Sequence, residues 1–412
     1  MRQIRSMGVA VVVGLSGSAA LGQPSDEALF VTNQQSGTVS SMRVNFDGSL
    51  SLVNTYATGS APQDVAITPD GRHLLVVNSD IGTTGPEQLS VFEIAANSTL
   101  VAKSAGNLVG DNPMGMGMTP QGYALISSTF SQDVRSFRLE NHLPVGVGQA
   151  PAGLFPTRPV SSVDGRFAYC TSSVSPDDIT AYSVAPGGAL TRLQGIDIGL
   201  NAAFGAAVDP SGSSLYVSTG QGNTIERYSI NQSTGVLTHA QTLAVGGSSA
   251  VELAVSPDGR WLFSAHVLSD SVRTTRINAS GSLTALNQSV TIGSDVRDIV
   301  TNGRLVFVTD ESPLGSAWGV HVLRVDSASG GLTPVGPATQ TGGVRPQFMA
   351  LWSPPVCMGD ADGDRQVNFA DINAVLRSFE AGVGPLGDAD FDGDVDFTDI
   401  SAVLNAWSSS CS

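Results

Sequence analysis

The sequence predicts an all-β fold, a seven-bladed β-propeller with N/C-terminal ring closure, followed by a small α-helical module with two calcium loops. Three observations carry this: a turn-centred unit recurring at blade spacing, a composition rich in glycine and poor in charge, and two acidic twelve-residue loops near the C-terminus. The unit is clearest at residues 62–78, PQDVAITPDGRHLLVVN. A strand of small and β-branched residues meets Pro69-Asp70-Gly71 and leaves as a second strand. Pro presets φ, Asp bonds back to its own backbone and Gly accepts a positive φ. Copies read FGAAVDPSGSSLYV at 204–217 and AVELAVSPDGRWLF at 250–263, with weaker ones at 113–125, 159–169 and 296–307. The turn glycines fall at Gly71, Gly122, Gly165, Gly212, Gly259 and Gly303. Their intervals of 51, 43, 47, 47 and 44 residues match the period of a propeller blade.

Charged residues make up only 14% of the chain, which fits a turn-rich β protein rather than a disordered or helical one. The net charge of −16 argues against nucleic acid or an anionic membrane as partner. At the N-terminus Arg2 and Arg5 precede an apolar run from Met7 to Leu21, and Ala20-Leu21-Gly22 offers a small-residue cleavage site. Residues 1–22 therefore read as an export signal, and the mature protein is expected to be secreted, extracellular or at the cell surface. No later segment reads as a membrane span, so no membrane insertion is expected. The propeller is assigned to 23–355 and the helical module to 356–412.

Within the propeller each unit continues alike. After the second strand come a polar loop, an alternating strand such as 37–44, a hairpin such as Asp47-Gly48-Ser49-Leu50, and a fourth strand near 52–56. Four such strands cannot bury a core alone, but radial stacking buries both faces of every sheet. Inner strands are expected near 62–68, 112–118, 157–163, 202–208, 249–256, 295–301 and 345–352. Second strands begin at 28–32 and end at 304–309. The two sets are offset, so the last inner strand should complete the first blade and leave no open edge. Pro354-Pro355 then ends it.

The residues Phe30-Val31-Thr32-Asn33, Ser36-Gly37-Thr38-Val39 and 61–71, APQDVAITPDG, resemble the YVTN-type repeat propellers. They are also similar to the seven-bladed lactonase family, which includes 6-phosphogluconolactonase-like and muconate-lactonizing proteins. The resemblance covers residues 28–353 and implies the fold and a lactone- or sugar-processing activity. In the muconate-lactonizing branch it also implies a His, an Arg, a Glu and a later Arg, in that order. Aligned on the turns, their places fall at Thr157, Phe204, Gly220 and Val267, none of which can replace them, so turnover by that mechanism is not expected.

The C-terminal loops read DADGDRQVNFAD at 360–371 and DADFDGDVDFTD at 388–399. A calcium loop needs side-chain oxygens at positions 1, 3, 5, 9 and 12 and a carbonyl from position 7. The first loop offers Asp360, Asp362, Asp364, Asn368 and Asp371 with the carbonyl of Gln366. The second offers Asp388, Asp390, Asp392, Asp396 and Asp399 with the carbonyl of Asp394. Two calcium ions are expected. Each loop runs into a helix whose apolar residues recur at i, i+3, i+4 and i+7: Ile372, Val375, Leu376 and Phe379, then Ile400, Val403, Leu404 and Trp407. The module resembles a type I dockerin, which implies a cohesin-like or cell-surface docking partner. Phe369-Ala370 and Phe397-Thr398 stand where cohesin-binding dockerins carry small hydroxyl residues. Cys357 and Cys411 bracket the module and read as a disulfide in an exported protein, whereas Cys170 reads as a buried, inert thiol.

The five His residues show no metal-ligand spacing, and no G-x-S-x-G, HExxH or phosphate-binding glycine loop is present. In a propeller the loops before the inner strand and after the second strand meet around the channel. Here they carry Asp64, Asn112, Arg158, Glu252, His266, Arg297, Asp310 and Arg345, a mixed-charge funnel suited to a small anionic or sugar-acid ligand. Two functions follow. One is a binding or scaffold propeller attached through its dockerin-like module. The other is a lactonase-family hydrolase carried by that module to a surface or polysaccharide-degrading complex.

Overall fold

The computed structural model describes residues 27–79, 87–106, 110–199, 202–311, 318–354, 367, 369–381 and 397–407. The expected export signal, Cys357, Cys411 and every proposed calcium ligand except Asp371 and Asp399 lie outside the described residues.

Seven four-stranded antiparallel sheets form the ring. The second blade runs outward from β4 (Pro62–Ile67) through β5 (His73–Asn78) and β6 (Gln88–Ile94) to β7 (Leu100–Gly106). The other inner strands are β8 (Pro113–Met118), β12 (Leu154–Ser161), β16 (Ala203–Val208), β20 (Ala250–Val255), β24 (Val296–Thr301) and β28 (Pro346–Trp352). The expected closure is present: β28 pairs with β1 (Ala28–Asn33), register Leu29 to Leu351, and so begins the first blade. Trp352 adds a bond from Nε1 to the carbonyl of Gly71 on the second blade, 2.8 Å away.

The second strand of each blade lies between an inner and a third strand and between two neighbouring sheets. That position needs apolar side chains on both faces. Leu74, Leu75, Val76 and Val77 of β5 are accordingly all buried, as is every residue of β25 (Leu305–Asp310). The ring is sealed where Leu29, Val31 and Met42 pack with Leu305, Phe307, Val322 and Met349. Outer strands face water; in β7, residues 101–103 are all exposed, Val101 at 49%.

The Pro-Asp-Gly turn works by the mechanism its residues suggest. Thr68 Oγ1 donates to Asp70 Oδ1 at 2.6 Å, Arg72 N donates to the same oxygen at 3.1 Å, and Gly71 has φ 69°. Ser162-Asp164-Arg166 and Ser256-Asp258-Arg260 repeat this arrangement. Buried hydroxyls then tie blade to blade. Ser127 Oγ donates to the carbonyl of Thr157 at 2.5 Å, and Thr309 Oγ1 to that of Gln347 at 2.6 Å.

Beyond the ring, α1 (Phe369–Ala381) and α2 (Phe397–Asn405) share a small core of Val367, Val375, Ala402 and Val403. Ile372 and Ile400 pack against it, but Leu376 and Leu404 are 48% and 57% exposed, against expectation. Two short helices meet along a narrow seam, and the i+4 residue falls on its flank. The Phe379 side chain lies outside the described residues. Phe369 and Trp407 meet edge to face with centroids 5.3 Å apart. Asp371 and Asp399, the last ligands of the two expected loops, are fully buried in the first turns of their helices.

Candidate functional site

The channel lining is built by one repeated device. The residue before five of the seven inner strands has positive φ: Ala61 39°, Asn112 53°, Ala202 34°, Ser249 56° and Arg345 62°; in β12 it is the second residue, Phe155, at 50°. Each inner strand then breaks register near its start, as between Pro62 and Asp64 or Ala250 and Glu252. A bulge re-aims side chains and is favoured at rims and sites. Here it brings consecutive residues, such as Thr157 and Arg158 or Val251 and Glu252, into one cavity of about 550 Å³.

The third residue of each inner strand forms the floor: Asp64, Gly115, Arg158, Gly205, Glu252, Asp298 and Phe348, with the bulged β12 counted from Pro156. Arg158 bridges this ring. Its Nη1 lies 2.9 Å from Asp298 Oδ1 and 3.3 Å from Glu252 Oε1, and its Nε 3.7 Å from Asp64 Oδ2. The guanidinium also sits 5.2 Å from the centroid of Phe348. The two glycines are required by close approach. A Cβ on Gly115 would stand 1.9 Å from the carbonyl oxygen of Thr157, and one on Gly205 2.7 Å from Glu252 Cα.

Asp64 and Asp298 also hold neighbouring strands. Met116 N donates to Asp64 Oδ2 and Met349 N to Asp298 Oδ2, each at 2.7 Å. Glu252 differs: its Oε2 is buried with no hydrogen-bond partner among the described residues. Burial pushes its carboxyl up to about 8, opposed by Arg158 and reinforced by Asp298 and Asp64. Burial likewise pushes Asp64 up to about 6, again against Arg158. One guanidinium thus faces three acids, and an acid of intermediate pKa is retained beside it.

Above the floor the wall is largely apolar: Met114, Phe130, Phe155, Phe204, Val251 and Val267. The places assigned to the lactonizing residues lie in and beside this cavity. Thr157, Phe204 and Val267 line the cavity with no titratable group, and a Cβ on Gly220 would strike the Phe204 ring at 2.4 Å.

Of the expected funnel residues, the structure brings Asp64, Asn112, Arg158, Glu252 and Arg297 to this cavity. Arg345 joins them indirectly: its Nε donates to Glu311 at 2.6 Å, and Glu311 also pairs with Arg297. His266 and Asp310 are not among the lining residues. Each ends a second strand and is buried inside its blade, His266 with Nε2 2.9 Å from Ser264 Oγ and Asp310 accepting from Ser294 N at 3.1 Å. Burial pushes the imidazole of His266 down to about 4, aided by Arg273. Sequence reasoning missed Asp298, Glu311 and Phe348. The strand position that selects Asp64 and Glu252 also selects Asp298, so the signal was available. Cys170 is buried and free, and burial holds its thiol far above the ordinary range.

Comparison with known proteins agrees with the ring. A family model for the lactonase seven-bladed beta-propeller matches residues 133–300, and no curated protein sequence matches the chain. Among solved structures, the chain is similar to the periplasmic gluconolactonase of Pseudomonas aeruginosa, at 19% identity and TM-score 0.68 over 80% of this chain and 99% of that one. It is similar to a candidate 6-phosphogluconolactonase of Bacteroides fragilis, at 16% identity and TM-score 0.68 over 79% and 98%. It is also similar to hydrazine synthase of Kuenenia stuttgartiensis, at 15% identity and TM-score 0.57 over 77% and 100%. Such identities establish the propeller fold, while the chemistry has to be argued from the site.

Proposed function

We propose that the protein is a hydrolase of uncharged lactones, with Glu252 as its acid–base group and Arg158 as its oxyanion donor. The observation that carries this is Glu252 Oε2, a buried carboxyl oxygen without a partner among the described residues, on a cavity-lining side chain that touches Arg158. Arg158's pairings among those residues use Nε and Nη1, which leaves Nη2 for a substrate carbonyl. Ionised Glu252 takes a proton from water as the water oxygen bonds to the carbonyl carbon. Arg158 stabilises the resulting oxyanion. Collapse breaks the ring C–O bond, and the proton passes from Glu252 to the departing oxygen.

The charge balance favours a neutral substrate over the anion expected from sequence. With Glu252 protonated, Asp64 and Asp298 still outnumber Arg158. The product acid would be repelled by the same floor, which assists its release.

Hydrolysis of a neutral lactone by the full protein tests the assignment. The rate should rise with pH to a plateau above about 8, and Glu252→Gln should reduce it by at least about 100-fold. No turnover, or undiminished turnover in the variant, would reject the mechanism. Binding without turnover would instead favour the binding propeller.

For the C-terminal module we propose calcium-dependent attachment of an exported protein. The buried Asp371 and Asp399 stand at the twelfth position of the two expected loops, where a calcium loop takes a carboxylate. Asp360, Asp362, Asp364, Asn368 and the carbonyl of Gln366 would complete one set. Asp388, Asp390, Asp392, Asp396 and the carbonyl of Asp394 would complete the other. Chelator should expose residues 357–412 of the full protein to limited proteolysis, and calcium should restore protection; equal cleavage with and without chelator counts against the assignment.

A further inference from the structure

We infer that the channel's substrate is a lactone bearing an alkyl or aryl substituent, not a bare polyhydroxylated or phosphorylated sugar lactone; this rests on the lactone reading above. The cavity of about 550 Å³ exceeds what an unsubstituted ring fills. The space beyond the charged floor is walled by Met114, Phe130, Phe155, Phe204 and Val267. Phe130 and Phe155 stand at the cavity 61% and 44% exposed, edge to face with centroids 6.4 Å apart. Aromatic rings left in water gain from covering by an apolar group.

Several polar side chains lining the cavity are already engaged. Asn112 Oδ1 accepts from Ser79 Oγ at 2.6 Å, and Thr157 Oγ1 lies 2.7 Å from Thr171 Oγ1. Ser173 Oγ donates to the carbonyl of Phe155 at 3.4 Å. Sugar hydroxyls entering here would exchange water for apolar wall. A phosphate fares worse, because the three acids facing Arg158 outnumber it and Arg297 is paired with Glu311, so an added anion meets net negative charge. Substrate selection then resides in the wall and ring opening in the floor.

Calorimetry on the full protein tests this with two ligand series. γ-Lactones with chains from ethyl to octyl are titrated into Glu252→Gln protein, and the matching alkyl cyclopentanones, which cannot hydrolyse, into wild type. Affinity should rise about fourfold per methylene until the cavity is full. Phe130→Ser, a surface substitution, should weaken the long-chain ligands about two- to tenfold. Glucono-δ-lactone and its 6-phosphate should bind at least about tenfold more weakly than the octyl lactone. Affinity independent of chain length, or tighter binding of either sugar lactone, would overturn the inference. Chain-length-dependent binding of the cyclopentanones without lactone turnover would remove the hydrolase and keep the hydrophobic site. Turnover without chain-length dependence would do the reverse.

Discussion

Replacing Glu252 with Gln separates burial of an acid from burial of a charge. The side chain is buried at the cavity, only 4% exposed, and burial pushes its carboxyl up to about 8 from 4.5 for an ordinary Glu. Between those values the folded protein holds a proton that the unfolded chain has released. Unfolding then releases a proton, so stability falls as pH rises through this window. At about 1.4 kcal/mol per tenfold change in proton activity, the loss amounts to something on the order of 4 kcal/mol. Gln has similar shape and cannot ionise, so the variant should escape that loss. Thermal melts of wild type and Glu252→Gln should nearly coincide at pH 5. At pH 8.5 the variant should melt roughly 5 °C or more higher, taking about 2 °C per kcal/mol for a large domain. The raised carboxyl of Asp64 is present in both proteins, so the difference between the curves isolates Glu252. Parallel curves across the whole range would show that Glu252 is ionised throughout, and both the proton count and the acid–base role would fall with it.

Other perturbations probe the same floor. Arg158→Met leaves Asp64, Glu252 and Asp298 without their shared cation and should cost about 3–5 kcal/mol in urea unfolding, a loss that shrinks as pH is lowered. Gly205→Ala drives a Cβ into the Glu252 backbone and should cost about 1–3 kcal/mol and most of the turnover. Gly187→Ala, with nothing within 4 Å of its Cβ, serves as a neutral control. Peptide mapping of secreted protein should find Cys357 linked to Cys411 and Cys170 unmodified; a bridge to Cys170 would show the pairing to be misread.

The ring was legible because a blade repeats its chemistry as well as its length. Thr68, Ser162 and Ser256 each donate to the turn Asp two residues on, and the glycine after that Asp has positive φ each time. A local bonding pattern of that kind is written in consecutive residues. Closure was also legible, since the offset between inner and second strands leaves Pro346–Trp352 needing Ala28–Asn33. The helical module was harder. Leu376 and Leu404 match the helical period as well as Val375 and Val403 do, and only the packing of one helix on the other decides which are covered.

The floor was partly legible, and its chemistry follows from how seven equivalent positions differ. Strand position alone picks out Asp64, Glu252 and Asp298, but it says nothing of how far a side chain reaches across the channel. Gly115 and Gly205 flank Arg158 in the ring, and their missing side chains let the adjacent strands close up beside it. Arg158 is long enough to meet acids from three other blades, and Phe348 adds a ring face rather than another charge. His266 and Asp310 were misplaced because the end of a second strand turns into its own blade, where crossover loops cover it. A single cation among three acids cannot satisfy all of them equally. Asp64 and Asp298 take backbone N–H groups as well, and Glu252, which takes none, is left with the raised pKa and the unpartnered oxygen. Which carboxyl of the ring is most perturbed is therefore set by the distribution of backbone donors, which no short motif in the sequence encodes.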